Sequence, residues 1–247
     1  MTISTYFLIG FFSFFAIHLI GEFLIIKKNE EKLGKLGKLG KLGKFIRYIS
    51  KPLLMPLLAG FYISYNLNLN SDSNLWVILG IAGGFFGDVS LMLPDPDKTK
   101  GFFKIGLISF LLGHIFYIVA LLQMAAGFSR FQWWSLVLTI PYIAIGVIVY
   151  PKLTKHTGKM TIPVTVYLVV IVLMGVCTTF LWGCCEPIGV IILMIGALLF
   201  IISDTINAFN KFAKEIPFER LYTMSTYLLG QFLLILGFLY SVPLVSQ

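Results

Sequence analysis

The sequence specifies an all-α polytopic membrane protein, a bundle of about eight transmembrane helices in a single domain over residues 1–247. Three observations lead there. The 247 residues are 58% hydrophobic and only 12% charged, with mean hydropathy +0.91, whereas a soluble domain carries about a quarter charged residues. Continuously apolar runs of about 20 residues recur along the chain, each enough for one helical crossing. Between them, basic and weakly charged links alternate. Transmembrane strands are excluded because the runs neither alternate nor shorten to the roughly 10 residues of a barrel strand.

In order, the expected spans are about Ser4–Ile26, Tyr48–Tyr65, Leu75–Leu93, Phe102–Met124, Trp133–Tyr150, Met160–Trp182, Pro187–Asn207 and Phe218–Tyr240. The first has no basic n-region or small-residue cleavage site, so it reads as a retained span rather than a signal peptide. Prolines at 52, 56, 141, 163 and 187 open or interrupt spans, as they do near helix starts. Trp76, Trp133, Trp134 and Trp182 suit an interfacial aromatic belt.

Orientation follows from lysine and arginine. The first link carries Lys27, Lys28, Lys32, Lys35, Lys38, Lys41, Lys44 and Arg47; later odd-numbered links carry Lys98, Lys100 and Lys104, then Lys152, Lys155 and Lys159, then Lys211, Lys214 and Arg220. The opposite side shows Arg130. Basic links mark the cytoplasmic face, which puts both termini on the other side. The net charge of +8 is thus spent on topology, not on nucleic acid. The Lys-Leu-Gly repeats within 27–47 read as a flexible basic linker, since glycine at every third place disfavours a helix. Attraction to anionic lipid heads, about 1 kcal/mol per lysine near the surface, is the sharper alternative. Cys177, Cys184 and Cys185 form no disulfide framework or Cys-x-x-Cys site.

Against this apolar background two aspartates stand out. Asp88 follows Gly80, Gly84 and Gly87, and Asp204 follows Gly196 and Ala197. Small residues allow close helix approach, but packing does not need a carboxylate, which is costly at membrane depth. Asp88 lies about five residues before the end of its span, roughly 7–8 Å below the surface, and Asp204 about three residues before the end of its own, so Asp88 is expected to be the deeper. Lys51, His114, Tyr117, Tyr167, Tyr227, Gln231, His18 and Glu22 fall in the same membrane half or reach its middle. The set reads as the wall of one cavity open to the cytoplasmic leaflet, with Lys51, His114, Tyr117, Tyr167, Tyr227 and Gln231 as candidate substrate contacts.

Paired buried carboxylates divide labour: the more desolvated holds a proton and acts as acid, while the other stays ionised to stabilise a cation or activate water. Lys51 or Tyr167 would keep the second ionised or orient the substrate. A zinc site from His18, Glu22, His114, Asp88 and Asp204 is the competing arrangement, as in a metal-dependent membrane hydrolase of lipid amides or esters. The chain has three histidines, and His156 is in a basic loop, so no three-histidine site forms within the membrane. A serine nucleophile has no Gly-x-Ser-x-Gly elbow. A transporter is the non-enzymatic alternative, but polar groups gathered in one leaflet without an internal repeat argue against it.

Several motifs, Lys51-Pro52, Gly87-Asp88-x-x-Leu91-Met92, Gly113-His114-x-x-Tyr117, Pro163-Val164-x-x-Tyr167, Gly196-Ala197-x-x-Phe200-x-x-Ser203-Asp204 and Tyr227-x-x-x-Gln231, resemble in order and spacing the YhhN family of membrane proteins. The resemblance runs from about Lys51 to Gly237. It implies hydrolysis of the vinyl ether bond of lysoplasmalogens to a fatty aldehyde and glycerophosphocholine or glycerophosphoethanolamine. It also implies two essential aspartates matching Asp88 and Asp204, a lysophospholipid substrate within the bilayer, and no required metal or other cofactor. Which aspartate is the acid stays open, with depth leaning toward Asp88.

Overall fold

A computed structural model describes residues 1–30, 37–93, 101–125 and 130–244. The α-helices are α1 (Ile3–Glu30), α2 (Gly37–Asn68), α3 (Leu75–Met92), α4 (Phe102–Met124), α5 (Ile140–Thr157), α6 (Thr161–Thr179), α7 (Pro187–Phe212) and α8 (Glu219–Tyr240). Short 3-10 segments, Trp133–Thr139 and Gly158–Met160, precede α5 and α6. Among the described residues there is no strand, only isolated bridges from Cys185 to Trp182 and Pro243. Among the described residues six stretches are long and apolar enough to cross a membrane; one is the 47-residue run Trp133–Thr179 that holds both α5 and α6. The helix α2, basic in its first half, is outside that set. The chain is therefore an all-α polytopic membrane protein.

The bundle is built from three closely packed antiparallel hairpins, α1–α2, α3–α4 and α7–α8, with α6 bridging α4, α5 and α7. Lipid tails are as apolar as leucine, so helices in a bilayer associate by close packing. Glycines supply it. A Cβ on Gly83 of α3 would lie 2.6 Å from the Cα of Gly113 on α4, and one on Gly196 of α7 would lie 2.6 Å from the Leu234 nitrogen on α8. The glycines before Asp88 divide their work. Gly87 lies against Phe110 of α4, while Gly84 faces the Gln231 and Tyr227 side chains of α8.

Two boundaries depart from expectation in ways that matter. The stretch 37–47, expected to be a flexible linker, is the first part of α2; Lys32 and Lys35 of that repeat lie outside the described residues. Three-residue spacing is close enough to the helical period that Gly40 and Gly43 share a buried face while Lys41 and Lys44 point outward. Gly43 rests on α1, where an added Cβ would meet the Gly21 carbonyl at 2.6 Å. Packing thus outweighs the low helix propensity of glycine. Second, α7 does not end at Asn207 but continues to Phe212, about two turns beyond Asp204. Asp88, by contrast, is close to the end of α3 at Met92. The expectation that Asp88 is the deeper aspartate therefore loses its basis.

Candidate functional site

Asp88 of α3 is 2% exposed and has two partners. Its Oδ1 is 3.0 Å from the Lys51 ammonium of α2, and its Oδ2 accepts a hydrogen bond from the Tyr227 hydroxyl of α8 at 2.8 Å. Lys51 is itself buried. It is placed by successive residues on one helix: Ser50 turns toward α1 and meets His18 Nδ1 at 2.9 Å, so Lys51, about 100° further round, turns toward α3. Asp204 of α7 accepts a hydrogen bond from the Tyr167 hydroxyl of α6 and lies within electrostatic reach of Asp88.

Lys51, Asp88, Tyr167, Asp204 and Tyr227 line one cavity. Ser203, Thr205 and Thr223 add to its polar lining. Its walls are apolar, including Leu91, Leu107, Val149, Leu153, Val164 and Leu168. Lys211, Asn207 and Phe212 extend it toward the C-terminal end of α7, and the Lys211 ammonium sits 3.4 Å from the centre of the Phe103 ring, a cation–π distance. A file of aromatic rings backs the two tyrosines. Tyr227 meets Phe110 and Phe200 edge-on at 5.9 and 5.3 Å, Phe200 meets His114 at 4.7 Å, and His114 meets Tyr167 at 5.4 Å.

The structure thus unites five of the expected site residues and separates the others. His114, Tyr117 and Gln231 are buried but stand behind the cavity wall rather than lining it. The Tyr117 hydroxyl is spent on Gln231 Oε1 at 3.0 Å, while His114 acts as a packing ring between Phe200 and Tyr167. His18 and Glu22 are not cavity residues either. Arg47 donates to both carboxylate oxygens of Glu22 at 2.5 Å, His18 Nε2 lies 3.7 Å from Glu22, and Arg220 approaches Glu22 at 4.0 Å. This second polar cluster ties α1 to α2 and α8. The possible zinc set of His18, Glu22, His114, Asp88 and Asp204 is therefore dispersed, and among the described residues no group of three or more His, Cys, Asp or Glu gathers that could hold a metal.

Sequence reasoning did not single out Lys211, Phe103, Phe110 or the apolar wall as part of the site. Lys211 had a signal, since seven residues after Asp204 is two helical turns on the same face. The wall residues from α4, α5 and α6 had none, because one apolar residue among many does not disclose which helix it faces.

The fold and cavity define a class: an intramembrane helical bundle with two carboxylates on the wall of one largely apolar cavity. The chain belongs to the YhhN family, whose pattern it matches over residues 46–238. It is 29% identical over 182 residues to a bovine (Bos taurus) protein named lysoplasmalogenase TMEM86A, covering 72% of this chain and 71% of the relative. It is 30% identical over 167 residues to lysoplasmalogenase TMEM86B of Mus musculus, 67% of this chain and 64% of the relative. With lysoplasmalogenase TMEM86A of Homo sapiens it shares 30% identity over 164 residues, 65% of this chain and 64% of that one. No solved structure gives a significant match.

Proposed function

We propose that the protein is a membrane hydrolase that cleaves the vinyl ether bond of lysoplasmalogens, releasing a fatty aldehyde and a glycerophospho-alcohol. The relatives named lysoplasmalogenase support the reaction. The observation that carries the mechanism is the unequal partnering of the two aspartates in one apolar cavity. Asp88 has a cation, Lys51, at 3.0 Å; Asp204 has the neutral phenol of Tyr167.

A vinyl ether is hydrolysed by protonating the alkene carbon remote from oxygen, leaving an oxocarbenium ion. A carboxylate without a cation partner in an apolar site holds a proton more readily than one bound to an ammonium. Asp204 therefore supplies the proton, reversing the leaning toward Asp88 that depth alone suggested. Asp88, kept ionised by Lys51 and Tyr227, faces the developing cation and accepts a proton from the attacking water. The hemiacetal then collapses: the carbon–oxygen bond to glycerol breaks, Asp88 passes the proton taken from water to the glycerol oxygen, and the hemiacetal hydroxyl gives its proton to Asp204 as the aldehyde forms, which restores both aspartates. Glycosidases stabilise a similar cation with a similar carboxylate pair.

The tail lies along the apolar wall and the phosphodiester near Lys211. The basic links support a cytoplasmic position for this mouth. The test is to give purified protein a lysoplasmalogen and the matched acyl lysolipid and measure free aldehyde. Aldehyde from the first alone is expected, with loss of about a hundredfold or more in Asp88→Asn and in Asp204→Asn. Full activity in either variant would sink the two-carboxylate mechanism, and no aldehyde from the unaltered protein would sink the substrate assignment.

A further inference from the structure

A second apolar groove lies on the outside of the bundle, along the seam between α5 and α6. It is lined by Ile143, Gly146, Val147, Tyr150, Val169 and Val172, among others, and it shares one residue, Leu168, with the carboxylate cavity. Val147 and Val169 are 66% and 58% exposed, so this face looks into the lipid. Gly146 shapes its floor: an added Cβ would sit 3.2 Å from Val172 Cγ2, and a larger side chain would fill the groove. On the inner side of the same seam, Val149, Leu153 and Val164 belong to the cavity wall. Half-buried Leu168 is therefore the side chain common to the two spaces.

We propose that this seam is the binding groove for the distal hydrocarbon tail of the lipid substrate, with Leu168 as the threshold between groove and catalytic cavity. The inference rests on the proposed lysolipid hydrolase reading and adds to it how the tail is housed. A lipid whose vinyl ether sits at the carboxylates needs an apolar exit for the rest of its chain. Leu168 lines both the cavity and the groove, so its side chain is what separates them, and the groove faces sideways into the layer the lipid comes from. The bilayer is as apolar as the groove, so the groove contributes no hydrophobic affinity of its own. Its effect is steric: it decides whether a long chain fits while the head is in place.

Two measurements test this. The first compares kcat/KM for a long-chain and a short-chain lysoplasmalogen in Gly146→Leu, which fills the groove outside the cavity, and in Leu168→Trp, which closes the threshold. The ratio of long to short is expected to fall on the order of tenfold, the scale of an overpacking clash. An unchanged ratio in folded Gly146→Leu protein overturns the proposal, as does an equal loss on both substrates in each variant. The second needs no turnover. A saturated ether lysophospholipid with a diazirine at its chain end is expected to label peptides within residues 140–179, and excess unlabelled lysolipid should compete. Labelling spread over all lipid-facing helices without competition overturns the groove. Competed labelling there in a protein that releases no aldehyde supports the groove and counts against the hydrolase reading alone.

Discussion

Lys51→Met is the substitution with the most to say about the site. The Lys51 side chain is 6% exposed and that of Asp88 2%, and their charged atoms are 3.0 Å apart. Removing one partner of a buried ion pair leaves the other uncompensated, at about 3–5 kcal/mol. Methionine keeps most of the volume, so the loss is electrostatic rather than a cavity effect. Asp88 then relieves its isolation by taking a proton, and the carboxylate proposed to stabilise the cation is gone. Aldehyde release is expected to drop by about a hundredfold or more, as for loss of an acid–base group. The double variant Lys51→Met with Asp88→Asn separates the two consequences. It removes both charges and keeps an acceptor for Tyr227, so thermal stability in detergent recovers most of the loss while activity does not return. If the single variant is as stable and active as the unaltered protein, or the double variant is no more stable than the single, the ion pair does not do what is argued.

Three further outcomes follow from other contacts. Arg47→Met leaves the buried Glu22 carboxylate with only the more distant Arg220 at 4.0 Å and His18 at 3.7 Å and is expected to cost less than the about 3–5 kcal/mol of a fully unpaired buried charge, while kcat/KM of the folded fraction stays within about twofold, because the pair lies outside the cavity; adding Glu22→Gln restores the unfolding temperature. Gly83→Val forces α3 from α4, since even its Cβ would come 2.6 Å from the Gly113 Cα, and should lower stability by about 1–3 kcal/mol or more in thermal unfolding. Tyr117→Phe leaves Gln231 Oε1 without its buried donor at a cost of about 1–3 kcal/mol, with a smaller loss of aldehyde release than Lys51→Met because Tyr117 does not line the cavity.

Much of the site was legible in the chain because charge is rare in it. An aspartate in an apolar run is conspicuous, and helical periodicity ranks its neighbours by face, so the chain alone marks Asp88, Asp204, Lys51, Tyr167 and Tyr227, which line the cavity, as candidates. Polarity does not tell which side of a helix wall a group occupies. His114, Tyr117 and Gln231 carried the same signal as Tyr167 and Tyr227, yet they sit one layer behind the cavity. His18 and Glu22 carried it too, and belong to a different cluster on α1 and α2. Glycine misled in one place for the same reason: its weak propensity is local, whereas its value at Gly43 is the approach of α1, which no local rule contains.

Composition and the period within single helices were enough to establish a helical membrane protein, the alternation of basic links and two carboxylates standing out in apolar runs. Tertiary structure decided what those carboxylates become. Lys51 and Asp88 are on different helices, as are Tyr167 and Asp204, so their partnering is set by which helices pack together and at what rotation. That packing gave Asp88 the Lys51 cation and Asp204 the Tyr167 phenol, and on this difference rests the proposed part of each in the chemistry.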